Sequence, residues 1–513
     1  MIMKKILKYS GFLLIILSLT KCDLNVIPED ALTSEQMTTT SDGLPSLVNG
    51  LYAIFKESAD YGSHCYIRQF YQMSDFASDD IVCAYKTEDD LINSFRFRDR
   101  TAEKSNINYF WEMSYKIIYG ANVAISMADL KGSDPLSDQL KGESYFLRAY
   151  ATHNLVRFFA KPYNAANKQE PGVILREDKS DNQPKERATL EQTYNYIIKS
   201  LKTAESLMSD EMPPERENDN HKYAGKQAVW ALLSRIYLYK NEPDSCIIYS
   251  DMVINSESFS LETPESYPAY FPNAKAGSES IWLIPYNLVD DQLEGAVASM
   301  IYNGNNCWGE EGATTSLMKD MGFGTDMVDI DQRWKYILTD VPVVKNGVNM
   351  YYISKFSEQE GSPTLSSPVF LRLAEVHLNR AEAWAKKNNV SSAVADLNLV
   401  RENRLIVPEG EVIDTYLYDE ANISSEEILD VVLTERRIEL AFEGHRIFDL
   451  LRNGRDIVRN YWGFHLDSYN GVPSSSEPGL DAGGVLFSSS DPNVIYPIPS
   501  SEISTNKLCV PNQ

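Results

Sequence analysis

The chain has 513 residues, with 48 lysines and arginines against 73 aspartates and glutamates, a net charge of −25. A surface this acidic repels phosphate, and no Lys/Arg-rich stretch or basic recognition helix offsets it, so nucleic acid is excluded as a partner and anionic lipid headgroups are disfavoured. Six cysteines without C-x-x-C spacing exclude a zinc ribbon and a disulfide framework.

Met1 to Lys8 forms a basic n-region and Tyr9 to Leu19 an apolar run of 11 residues. A helix rising about 1.5 Å per residue needs roughly 20 residues to cross a bilayer, so this run is no permanent anchor, and residues 1–21 read as a signal peptide. Cys22 directly follows Leu19-Thr20-Lys21, a placement resembling a lipobox, which makes Cys22 the expected lipidation site. Lys21 departs from the small residue usual there, and cleavage elsewhere with Cys22 unmodified is the alternative. Loss of residues 1–21 removes Lys4, Lys5, Lys8 and Lys21 and no acids, taking the net charge from −25 to −29. The Thr/Ser-rich stretch of residues 22–40, with Pro28, reads as a tether.

Helical signals begin near Leu44. Segments 111–130 and 140–160 form a candidate helix pair. Leu190, Tyr194, Ile197, Leu201, Ala204 and Met208 then recur at three- and four-residue steps, which predicts a helix over 190–208. Ala228 to Tyr239 and Ile247 to Ile254 flank the break Asn241-Glu242-Pro243-Asp244. Val369 to Lys387 carries the same spacing through Leu371, Ala374, Leu378, Ala381 and Ala385, is broken at Asn388-Asn389, and is followed by a partner through Ala393, Leu397 and Val400. Alanines at matching places and a short Asn-containing turn make these units resemble degenerate tetratricopeptide repeats, which need stacked copies for stability. Residues 60–108, 161–188, 258–367 and 461–513 are too long for ordinary connectors and read as functional loops with short strands, such as the apolar run Ser280 to Tyr286. The expectation is a mainly α fold: a tetratricopeptide-like helix-pair scaffold with long loops and a few short β-strands. An N-terminal helical-repeat region spans 41–260 and a C-terminal region with inserted ligand-binding loops spans 261–513.

Several runs together resemble one family. Leu24-Asn25-Val26-Ile27-Pro28-Glu29-Asp30 and Gly50-Leu51-Tyr52 resemble the opening of SusD/RagB-type proteins, and Gly142-Glu143-Ser144-Tyr145-Phe146-Leu147-Arg148-Ala149 resembles their GEA-x-FLRA helix. Leu371 to Ala383, Leu397-Asn398-Leu399-Val400-Arg401, the run Glu435 to Leu450 and Tyr496-Pro497-Ile498-Pro499 follow in the family's order. The resemblance covers almost the whole mature chain. It implies a SusD-like α/α superhelix and a lipid-anchored protein on the outer face of the outer membrane. It also implies capture of glycans, or of peptides in the RagB branch, for a SusC-like TonB-dependent transporter, with no catalysis and no cofactor.

Glu435, Glu439 and Glu443 fall on one helical face with Arg436, Arg446 and Arg452 nearby, which reads as an ion-pair network. Arginine-paired carboxylates have lowered pKa values, the opposite of what a general acid needs. Six histidines show no metal-ligand spacing, and Glu88-Asp89-Asp90 and Asp329-Ile330-Asp331, considered for calcium, lack EF-hand spacing. Asp331 and Arg333 resemble a structural D-x-R motif of the family. Trp111, Trp230 and Trp384 lie in helical units and are assigned to the core. Cys65 and Cys83 read either as a bridge or as buried small hydrophobes.

The 30 tyrosines and 7 tryptophans supply flat faces for sugar C–H surfaces, while Asn, Asp and Arg suit the hydroxyls. The loop Tyr302-Asn303-Gly304-Asn305-Asn306-Cys307-Trp308-Gly309 combines these groups, so Tyr302, Asn303, Asn305 and Trp308 are the first-choice ligand residues. Tyr85, Arg96 and Asp79, in a region the family also uses for ligand contact, are the second. Helix packing is the competing role for each aromatic. The expected function is glycan capture; a surface glycoside hydrolase and a protein-interaction scaffold are the alternatives.

Overall fold

The computed structural model describes residue 40 and residues 42–512 except 58–64, 84–93, 96, 98–99, 218–220, 303, 338–342, 346–347 and 460–484. Residues 1–39, which hold the expected signal peptide, Cys22 and all but the last residue of the expected tether, lie outside the described residues, as do Tyr85, Asn303 and Arg96.

The longer helices, in chain order, are α1 (Gly43–Ile54), α2 (Tyr66–Ser74), α3 (Ser105–Lys131), α4 (Pro135–Phe159), α5 (Leu190–Leu207), α6 (Lys226–Tyr239), α7 (Pro243–Ile254), α8 (Leu373–Lys386), α9 (Val390–Glu402), α10 (Ile428–Glu439) and α11 (Arg446–Arg452). Local chemistry sets their ends. Gly132, at φ +92°, stops α3, and α4 starts three residues later with Pro135 in its first turn and Asp134 accepting from the Leu136 and Ser137 amides. Thr189 and Gln192 form a capping box at the start of α5. Asn241 and Asn388 take positive φ in the α6–α7 and α8–α9 turns, so the two Asn-containing breaks do the same job.

Each helix packs on its sequence neighbour: α3 on α4, α4 on α5, α5 on α6 and α6 on α7. The α7 helix then stacks on α8, and α8 packs on both α9 and α10. This chain of antiparallel pairs is the tetratricopeptide-like scaffold, and it buries the expected alanines Ala374, Ala381, Ala385 and Ala393 between helices. Trp111 and Trp230 are buried and Trp384 is partly buried in the same scaffold.

Among the described residues, eight short strands form four antiparallel pairs: β1 (Ile81–Cys83) with β3 (Glu311–Ala313), β2 (Ser280–Leu283) with β6 (Val369–Arg372), β4 (Val343–Lys345) with β5 (Val348–Met350), and β7 (Ile457–Arg459) with β8 (Val485–Phe487). The β2/β6 pair corrects the reading of Val369 to Lys387 as one helix. Val369 to Arg372 is extended, and α8 begins only at Leu373. Leu371 and Val369 pair with Trp282 and Leu283, 89 and 86 residues upstream, so the strand partner overrides the helical spacing. Trp282 on β2 is fully buried against Phe146 and Tyr150 of α4 and Phe370 of β6, at centroid distances of 5.0, 4.9 and 5.4 Å. One hydrophobic cluster runs from Leu44 to Cys509, so regions 41–260 and 261–513 share a core.

Candidate ligand-binding site

The carboxylates of the C-terminal run are ion-paired, but the geometry differs from a single helical face. The α10 helix ends at Glu439, and Phe442 and Gly444 at positive φ turn the chain before α11, which takes Glu443 off the helix. Glu435 and Glu439 pair not with Arg436, Arg446 or Arg452 but with arginines from distant segments. Arg333 reaches both, Arg372 and Arg404 reach Glu439 and also Glu279, and Lys355 reaches Glu443. Arg436 and Arg452 instead bind Glu382 and Asp449. Burial pushes the Glu439 pKa up, but Arg404, Arg372 and Arg333 outweigh it and hold the group well below the ordinary carboxylate value. Glu375 is brought to about 2, as Arg235 more than offsets burial. Asp75 and Asp80 are raised, chiefly by burial, yet each is almost wholly enclosed rather than in a cleft. None of these arginine-paired or enclosed carboxyls is placed to serve as the acid of a glycoside cleavage.

Asp79, of the second-choice set, has a buried carboxylate that accepts from Arg446 Nε and Nη2 at 2.7 and 2.9 Å and faces Arg437, so it ties the segment before β1 to α10 and α11. Its pKa falls to about 2, with Arg437 and Arg446 overcoming burial. Asp331 serves Arg333, as the D-x-R reading expects, with Arg333 Nε and Nη2 donating to its two carboxylate oxygens. Glu88 to Asp90 lie outside the described residues, and no group of three potential metal ligands occurs among those described. Cys65 and Cys83 are not joined in a disulfide: Cys65 Sγ accepts from the Arg68 amide at the start of α2, and the Cys83 thiol faces Glu311.

The loop of residues 302–309 is built by backbone hydrogen bonds. The Trp308 and Gly309 amides donate to Ser299 O at 2.5 and 3.2 Å, and the Glu310 amide donates to Met300 O at 2.9 Å. Gly309 sits at φ +59°, and a Cβ there would lie 2.8 Å from the Tyr352 hydroxyl, which itself donates to Gly309 O. So held, the Trp308 indole is 38% exposed. Beneath it the buried Arg68 guanidinium lies 5.5 Å from the ring centroid and donates to Glu294 O at 2.9 Å. Tyr302 is half-buried and donates to Glu358 Oε1 at 2.7 Å; burial and then Glu358 raise its pKa to about 12, so it remains a neutral hydroxyl. Asn305 is exposed beside it. Tyr302 and Trp308 are thus engaged by different partners, Glu358 and Arg68, and Asp79 is held by Arg446 and Arg437. Arg68 and Glu358 had no signal in the sequence, because they come from α2 and from a loop 50 residues beyond Trp308.

The structure is a stacked-helix scaffold with a buried ion-pair network at its C-terminal end and a partly exposed Trp308 fixed on it. The chain belongs to the SusD family. The family model described as "SusD family" matches residues 298–513, and one described as "Starch-binding associating with outer membrane" matches residues 32–238. SusD-like protein P2 of Formosa agariphila is 23% identical over 98% of both chains, and SusD-like protein P38 of the same organism is 25% identical over 89% of this chain and 93% of its own. Among solved structures, a SusD superfamily protein of Bacteroides thetaiotaomicron superposes with a TM-score of 0.75 at 24% identity, covering 92% of this chain and 99% of that one. Another from Bacteroides vulgatus superposes with a TM-score of 0.73 at 26% identity, covering 91% and 98%. No helix among the described residues is long and apolar enough to cross a membrane.

Proposed function

We propose that this protein is a cell-surface lipoprotein, anchored through Cys22, that captures oligosaccharide on the Trp308 loop and passes it to a TonB-dependent transporter resembling SusC. The observation that carries the reading is Trp308 itself. A large indole is left partly in solvent while its backbone is pinned to Ser299 and its ring rests on a buried guanidinium. A rigid aromatic face costs little entropy to present, and sugar C–H surfaces pack on such faces. Tyr302 and Asn305, on the same loop, are assigned the hydroxyl and amide contacts to the sugar. The acidic mature chain leaves acyl chains at Cys22 as the source of membrane attachment, because charge opposes binding to anionic headgroups.

The test is Trp308→Ala measured against a polysaccharide panel by affinity electrophoresis. Loss of the glycan retained by the parent protein, by tenfold or more in affinity, is the expected result. Undiminished retention would remove the site assignment. Failure of the parent protein to retain any glycan would turn the reading toward peptide capture.

A further inference from the structure

A large cleft lies away from Trp308. It lies between α4, α5, the loop of residues 175–188 and the C-terminal tail at Leu508, is open to solvent, and has a volume of about 880 Å³. That size is within the range of small-ligand sites. Its floor holds Arg148, only 7% exposed, whose guanidinium lies 4.7 Å from the ring centroid of Tyr145 and 4.9 Å from that of Tyr196.

The hydrogen-bond partners of this arginine are all neutral. Nη1 donates to Asn122 Oδ1 at 2.8 Å and to Glu177 O at 3.2 Å, Nη2 donates to Ser200 Oγ at 3.0 Å, and the buried Nε–H meets no acceptor. Arg187, on the same cleft, likewise donates to neutral oxygens: the backbone carbonyls of Gly172, Phe159, Pro171 and Val510, and Asn512 Oδ1. Lys199, next to Ser200 on α5, is exposed on the cleft wall. Lys185 is taken by Asp181 at 2.6 Å, and Glu177 and Glu186 are the acids of the lining. The contrast with the C-terminal network is sharp, since Arg333, Arg372 and Arg404 each bind carboxylates there. A buried guanidinium without a counter-charge is costly, and an anion recovers part of that cost.

We propose that this cleft is a second saccharide site and that it takes an anionic sugar, one carrying a carboxylate or a sulfate. The anion lies between the Arg148 floor and the Lys199 ammonium, the sugar ring packs on the Tyr145 and Tyr196 edges of the cleft, and the exposed Asn195 amide is available for a hydroxyl. The inference rests on the saccharide-binding reading above but uses none of the Trp308 residues.

Titration calorimetry on the mature protein tests it with three probes: an oligogalacturonate trimer, a sulfated galactan tetrasaccharide and neutral maltotetraose. At least one anionic probe is expected to bind, with affinity falling as salt rises, and Lys199→Glu is expected to weaken it tenfold or more while Lys199→Arg restores it. Whichever anionic probe binds identifies carboxylate or sulfate as the recognised group. Trp308→Ala is expected to leave the anionic titration in place. The proposal is overturned if neither anionic probe binds, if Lys199→Glu leaves binding unchanged with its far-ultraviolet spectrum intact, or if Trp308→Ala abolishes it. Equal competition by a hexaglutamate peptide overturns the saccharide class. Failure of the Trp308 reading appears separately, as neutral-glycan binding that survives Trp308→Ala.

Discussion

Glu375 is almost fully buried and accepts from Arg235 Nε and Nη2, both at 2.6 Å, which joins α6 to α8. Its folded-state pKa of about 2 lies below the ordinary value of 4.5, so the group binds its proton more weakly in the folded chain than in the unfolded one. Such a group contributes stability that is fully present above the unfolded value and is lost as pH falls from there toward 2. Linkage makes the contribution about 3 kcal/mol for Glu375. Urea titrations at stepped pH are therefore expected to show unfolding free energy dropping below about pH 4.5, the unfolded carboxylate range. Glu375→Gln is expected to flatten that acid limb and to cost roughly 3–5 kcal/mol at pH 7, because Arg235 is left buried and unpaired. An acid limb of unchanged slope in the variant would contradict this account. At this scale the sequence showed that the carboxylates are arginine-paired, but not with which arginines. The partners of Glu439 lie 35, 67 and 106 residues away, beyond any helical spacing.

Among the elements, helices with local start and stop signals were legible to within a few residues. The α5 helix begins at Leu190, the first residue of its apolar series, and the Asn breaks fall where α6 turns into α7 and α8 into α9. The Val369 strand was hidden because its apolar residues satisfy both a helical and a buried extended pattern, and pairing with β2 decides between them. The loop of residues 302–309 was found through composition, whereas its shape depends on Tyr352 and Ser299. Gly309→Ala puts a Cβ against the Tyr352 hydroxyl and on a backbone at φ +59°. It is expected to destabilise the protein by about 1–2 kcal/mol and to weaken glycan retention by loosening Trp308. Stability and affinity electrophoresis measured on one preparation check both effects, and retention equal to the parent would show that the loop's geometry does not matter to capture.

For the whole molecule, attachment and charge act together. Cys22→Ala is expected to move the protein from the membrane fraction to the soluble fraction without altering its thermal unfolding. Cys22 precedes the first described helix, which begins at Gly43, and the net charge of −25, or −29 once residues 1–21 are removed, offers no electrostatic hold on anionic lipid. Persistence in the membrane fraction would point to attachment through another component.

By itself the sequence determined the helix-pair scaffold, the acidic surface and the order of the family motifs, because helical periodicity, caps and net charge are local or additive properties. Tertiary structure alone decided that Val369 to Arg372 is a strand and that Asp79 is a buried partner of Arg446. It also decided that Trp308 rests on Arg68 and that Arg148 lies in a cleft with neutral acceptors only. Each of these depends on groups brought together from distant parts of the chain. Whether a charge is neutralised or a ring is left exposed is settled by packing, which no window along the sequence contains.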